Sequence, residues 1–200
     1  MKRTTRNAAK TKREIIEKSA PVFNIHGYAG TKMQMIIDAT GYQMGGIYRH
    51  FDSKMDLAKA VFLHNYESLI KPNLILAPNL NPKEKLLRII ENYRQMVIHP
   101  SIPGGCPILN TAIEFDDTDQ SFQKLVQDCI KEVFDLLKAI FAEGIAMGLF
   151  QEKIDPQKEA LFLFAAFEGA IMIGKITKSA RPLFDIFEQT ETYLEDKVFK

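Results

Sequence analysis

One stretch, Gly41 to Leu57, reads GYQMGGIYRHFDSKMDL and limits the fold more than any other part of the chain. The apolar segment before it, Met33 to Ala39, runs into Gly41, which can take the positive φ that closes a helix. From about Met44 to Phe51 the spacing predicts a second short helix, with Ile47 and Phe51 one turn apart and facing inward. Gln43, Gly45, Tyr48 and Arg49 are left on its other side. Ser53-Lys-Met-Asp56 has the S-x-x-D form of a capping box, so a third helix starts at Ser53. Two short helices across a glycine turn, the second exposed and polar, make the helix-turn-helix pattern, whose second helix enters a DNA groove.

Charge supports that reading through its distribution. The whole chain carries a net charge of only +1, but residues 1–56 hold 10 Lys and Arg against 5 Asp and Glu, while residues 57–200 hold 16 against 20. A basic head on an acidic body is expected where one end meets phosphate. The boundary near residue 56 divides a DNA-binding domain with a basic N-terminal arm (1–56) from a larger helical domain (57–200). Lys2, Arg3 and Arg6 of the arm are candidates for auxiliary phosphate contacts.

The rest of the chain reads as helices. The first runs from about Ala8 to His26, with Ile15, Ile16, Ser19, Val22 and Phe23 on one face and Gly27 at its end; Pro21 should bend it. The helix from Ser53 continues through Leu57, Val61, Phe62, Tyr66 and Ile70 to Pro72, a lever from the DNA-binding unit into the body. Helices are further expected over Lys83 to His99, Ile108 to Phe115, Phe122 to about Gly148, Asp155 to about Thr177 and Pro182 to Val198. No run shows strand alternation, so the fold class is all-α. Ala160 to Ile176, the most apolar stretch, is interrupted by Glu168 and Lys175. It is shorter than the roughly 20 residues of a membrane span and is expected to be a buried helix, with no membrane partner. Two cysteines and a basic, polar N-terminus without an apolar stretch point to a reducing cytoplasm rather than secretion.

The run Thr31-x-Met33-x-x-Ile36-x-x-Ala39-x-Gly41, followed by Gly45-x-Ile47-Tyr48-x-His50-Phe51-x-x-Lys54-x-x-Leu57, resembles the DNA-binding region of TetR-family transcriptional regulators. Phe23 and Gly27-Tyr28 lie upstream as in that family. Tyr42 stands where a small aliphatic residue is usual, and Gly46 replaces a frequent hydroxyl residue. The resemblance implies phosphate contacts by Tyr48, His50 and Lys54, and base-edge contacts by Gln34, Gln43 and Met44. Lys32, Gly45 and Arg49 complete the candidate surface toward double-stranded DNA.

It also implies an effector pocket for a small molecule in the body. Candidates are Phe62, Tyr66, Tyr93, Met96, Cys106, Phe115, Phe134, Phe164 and Phe167, a soft aromatic lining suited to a flat apolar ligand, with Glu114 and Glu168 as possible polar anchors. Ala166, Ala170 and Gly174 recur every four residues, a strip on which another helix can approach closely; with Ile186 and Phe187 they form the candidate homodimer interface, intramolecular packing being the other reading. The resemblance implies a ligand-responsive repressor. Two alternatives stay open: a redox or electrophile sensor through Cys106, at a helix start that lowers thiol pKa, and an enzyme or carrier using the apolar cavity. No P-loop, H-E-x-x-H or G-x-S-x-G motif occurs, and the four histidines lack metal-ligand spacing, so no cofactor or metal is expected.

Overall fold

The computed structural model describes residues 2–200, with side chains from Asn7 onward. The side chains of Lys2, Arg3 and Arg6 lie outside the described residues. By contact the chain divides into two units, Met1–Leu69 with Ile102–Val126, and Ile70–Ser101 with Gln127–Lys200. The fold is all-α: among the described residues the one extended pairing is an isolated antiparallel bridge between Phe150 and Phe199.

In the first unit, α1 spans Lys2–Gly30 and passes through Pro21 without a break; its break comes at Gly27, with φ 69° and ψ 178°. The break falls at Gly27, where the sequence ends this helix and where the absent side chain tolerates a positive φ. Helices α2 (Met33–Thr40) and α3 (Met44–Ile47) follow, then α4 (Lys54–Asn65). Ser53 caps α4 by accepting from the Asp56 amide at 3.0 Å. The reciprocal arm of the box lands one residue early, with Asp56 accepting from the Asp52 amide at 3.3 Å. A π-helical turn, Tyr66–Ile70, carries α4 onward. The last element of this unit to form completely within it is α7 (Pro107–Phe115), which packs on α1 and α4.

The second unit begins with α5 (Lys71–Leu74), where Pro72 sits in the first turn and is tolerated there, so the helix outlasts the proline expected to stop it. Asn81 and Glu84 then close a reciprocal capping box that starts α6 (Pro82–Ile98). Helix α8 (Gln120–Ala146) runs through both units' sequence spans; α9 (Pro156–Thr177), capped by Asp155, and α10 (Arg181–Tyr193) complete the chain before a π turn at Leu194–Val198. Arg94 of α6 reaches Glu191 of α10 at 2.9 Å and lies over the Phe187 ring, which meets Phe167 of α9 edge-on at 5.1 Å.

The small-residue strip of α9 packs inside this unit. Ala170, Gly174 and Phe187 are buried within the chain. A Cβ on Gly174 would stand 2.7 Å from Leu183 Cδ1 and 2.9 Å from the Ser179 carbonyl oxygen. Close approach of α10 in the same chain is thus what these residues allow. The face that α9 leaves open is another one, with Leu161, Phe162, Met172, Ile173 and Ile176 exposed. Helix α9 has the bounds expected and, at 22 residues, is by length and composition alone able to cross a membrane. It is also less buried than expected.

Gly174→Leu should therefore lower the stability of the fold itself by about 1 to 3 kcal/mol through overpacking against Leu183. Urea denaturation reads this directly, as a lower midpoint with an unchanged slope.

Candidate nucleic-acid interface

The turn between α2 and α3 is built by Gly41, whose φ of 77° lets its amide return to the Ile37 carbonyl at 2.8 Å. Thr40, buried at the same corner, donates to the Ile36 carbonyl at 2.7 Å and accepts from the Tyr42 amide at 3.2 Å. Helix α1 ties this corner down. Lys18 donates to the Thr40 carbonyl, and the Tyr42 hydroxyl donates to Glu14 at 3.0 Å. The Lys18 hydrogen bond first, then that of Tyr42, hold the Glu14 carboxyl below the usual carboxylate range. The unusual aromatic at position 42 thus has a partner on α1.

Helix α3 is shorter than expected, four residues followed by a turn over Tyr48 to His50. Its inward side holds as the spacing predicted: Ile47 is fully buried and Phe51 nearly so, with Lys12 of α1 over the Phe51 ring. Gln43, Met44, Gly45, Tyr48 and Arg49 are exposed, and His50 is half-buried. Gln43 makes no capping bond with its side chain, which leaves the amide available outward. Lys32 is exposed at the start of α2, whereas Gln34 already donates to Asp38 at 2.7 Å.

Lys54 has a second engagement. Its ammonium donates to the Tyr28 carbonyl and lies 4.1 Å from the centre of the Tyr28 ring. Partial burial pulls it below the ordinary lysine range, against the opposing field of Glu114. Glu114 of α7 accepts from the Tyr28 and Ala29 amides, each at 2.6 Å. A side chain at Gly27 would collide with that carboxylate, at 2.9 Å from Cβ. The sequence marked Glu114 only as a possible ligand anchor; its role in capping the turn after Gly27 left no local signal, because the partners are 85 and 86 residues apart.

Residues 15–61 match the family described as bacterial regulatory proteins, tetR family, and residues 82–190 match the tetracyclin repressor-like C-terminal domain. The chain belongs to the TetR family. A crystallised TetR transcriptional regulator from Chloroflexus aurantiacus is 35% identical, with a TM-score of 0.91 over 97% of this chain and 98% of that one. Among named relatives, an uncharacterized HTH-type transcriptional regulator from Lactococcus lactis is 27% identical, covering 94% of this chain and 95% of its own length. The HTH-type transcriptional repressor DhaR of Mycobacterium sp. is 25% identical, covering 86% of each chain. This protein is a helix-turn-helix, DNA-binding transcriptional regulator of the ligand-responsive TetR type.

The expected effector residues are shared between two spaces. Tyr93, Phe164 and Phe167 line a cavity of about 390 Å³ in the second unit, including its mouth, with Ile89, Leu137 and Glu168. Phe62 and Phe115 line a cleft of about 360 Å³ in the first. Tyr66 and Cys106 are buried in their surroundings, Met96 accepts from Asn73, and Phe134 meets Phe164 edge-on at 5.2 Å. With 2% exposure, Cys106 lacks the solvent access a reactive thiol needs, which disfavours the sensor reading.

Glu114→Ala should free the Tyr28 and Ala29 amides and cost about 1 to 3 kcal/mol. Hydrogen exchange at those two amides should accelerate while exchange in α10 stays as it was.

Proposed function

We propose that this TetR-family protein is a cytoplasmic homodimeric repressor that binds a twofold operator and leaves it when a small apolar or aromatic molecule binds the body. The observation that carries this is the exposed set Gln43, Met44, Tyr48 and Arg49, on and flanking a short helix, while Ile47 and Phe51 of the same segment are locked into the core. Residues 1–56 act as the DNA-binding domain and residues 57–200 as the effector-binding and dimerisation domain. Tyr48, Arg49, His50 and Lys32 meet phosphates; Gln43 and Met44 meet base edges, with Gly45 allowing close approach. Lys54 joins them through the donors it does not direct at Tyr28.

The effector enters the cavity walled by Tyr93, Phe164 and Phe167, whose lining is almost wholly apolar, with Glu168 supplying a carboxylate. Its binding changes operator affinity only to the extent that it favours the DNA-incompetent form, typically by 1 to 3 kcal/mol. The dimer forms on the open face of α9 and α10, through Leu161, Phe162, Met172, Ile173, Ile176 and Phe184. Of the strip expected from sequence, Ala166 and Ile186 are only half-buried and keep surface free for a partner. An exposed apolar face of this extent fits a second subunit, and twofold operators are read by twofold proteins.

A gel shift on the DNA upstream of the protein's own gene tests the assignment. Arg49→Ala should weaken binding to every sequence and reduce the salt slope by about one unit, whereas Gln43→Ala should change which operator is preferred. Unchanged affinity and slope in Arg49→Ala would remove this helix from the DNA.

Ile176 is 81% exposed, so Ile176→Asp should leave the protomer folded and yield monomers in sedimentation. Operator binding should fall with it, because two half-sites about 34 to 36 Å apart must be held together.

A further inference from the structure

We propose that the first unit contains a second ligand site, in the cleft between α1, α4 and α7, for a small neutral aromatic molecule that donates a hydrogen bond, the chemistry of a phenol. The starting point is Asn65 on α4, 2% exposed and lining the cleft. Its Nδ2 donates to the Ala20 carbonyl at 3.4 Å, and no described protein group donates to its Oδ1. The amide cannot simply be turned round, since the Ala20 carbonyl only accepts. A buried acceptor left unmatched is unfavourable, so Oδ1 calls for a donor from outside the chain.

The other side-chain amides of the wall and its carboxylate have partners. Asn24 donates to the Pro103 and Gly105 carbonyls, and Asn110 donates to Asn24 and to the Gly104 carbonyl. Glu114 accepts from two backbone amides, with the Lys54 ammonium held on the far side of the same turn. With the anion capped and a cation close by, the wall favours a neutral guest. What remains is a run of rings: Tyr28 meets Phe115 at 5.5 Å, Phe115 stacks on Phe122 at 4.1 Å, and Phe122 meets Phe62 at 5.7 Å. One unmatched acceptor beside an aromatic wall, in a cleft open to solvent on one side, is a receptor for a flat ring carrying one hydroxyl. This site is separate from the cavity around Tyr93 and Phe167, and its existence does not depend on how that cavity is used.

Calorimetric titration of the full-length protein with phenol, toluene and cyclohexanol tests the chemistry. Phenol should bind about five to ten times more tightly than toluene, the factor one neutral hydrogen bond supplies, and more tightly than cyclohexanol, which lacks a ring face. Asn65→Leu should erase the preference of phenol over toluene. Equal binding of phenol and toluene, or an Asn65→Leu protein that keeps the preference, would overturn the proposal. A crystal of the unmodified protein soaked in 4-bromophenol gives the location without any substitution. Bromine should lie against Phe115 and Phe122 with the hydroxyl on Asn65 Oδ1; bromine beside Tyr93 and Phe167, or an ordered water alone on Oδ1, would refute the site.

Discussion

The peptide unit joining Tyr28 to Ala29 is held at both ends by charge. Its carbonyl accepts from the Lys54 ammonium and its amide donates to the Glu114 carboxylate, with the neighbouring Tyr28 amide donating to the other carboxylate oxygen. Charge-assisted bonds of this kind are shorter and stronger than neutral ones. Here a single peptide joins α4 to α7 through the turn at the end of α1. Gly27 is a condition of that arrangement twice over. Its left-handed φ turns the chain so that both amides point at Glu114, and its missing Cβ leaves the space the carboxylate occupies. Thr31, buried just after, donates to the Gly27 carbonyl and fixes the exit toward α2.

The recognition surface inherits its position from this anchoring. Helix α3 is too short to hold itself, and its placement comes from Ile47 and Phe51 below it and from the α2 corner that Lys18, Glu14 and Tyr42 fasten to α1. Exposed side chains on such a platform lose little freedom to local partners, as Gln43 illustrates, whereas Gln34 one helix earlier is already bonded to Asp38. Preorganising the backbone while leaving the reading side chains unbound is what groove recognition asks of a helix-turn-helix.

Local chemistry explains how far the chain could be read unaided. The glycine turn at Gly41, the Ser53 cap, the Asp155-Pro156 start and the inward pair Ile47 and Phe51 depend on neighbours within a few residues, and all four were legible. Pro72 misled for the opposite reason, since a first helical turn accepts a proline and the helix runs on to Leu74. The strip Ala166, Ala170 and Gly174 shows the limit most sharply. Small residues at helical spacing report that a helix comes close, and nothing in the spacing tells whether that helix belongs to the same chain. Leu183 of the same chain fills the place beside Gly174, and the side chains left outside are Leu161, Phe162, Met172, Ile173 and Ile176, on another face of the helix.

The cleft beside this anchor has a mechanical meaning whatever occupies it. Glu114, Asn110 and Phe115 line it from α7, Asn24 and Tyr28 from α1, and Asn65 and Phe62 from α4. The bonds across it are short and directional, so a displacement of α7 by about an ångström stretches the Glu114 contacts beyond useful hydrogen-bond length rather than weakening them gradually. Hydrogen bonds to a charged group contribute about 1.5 to 3 kcal/mol each, and allosteric coupling energies are typically 1 to 3 kcal/mol. Losing one of the two Glu114 bonds is thus comparable to a whole regulatory response. A guest that widens the cleft would change the support of the turn at Tyr28 directly, and through Lys54 the start of α4. Tightly packed helices respond to such a change by moving between discrete arrangements rather than by gradual deformation.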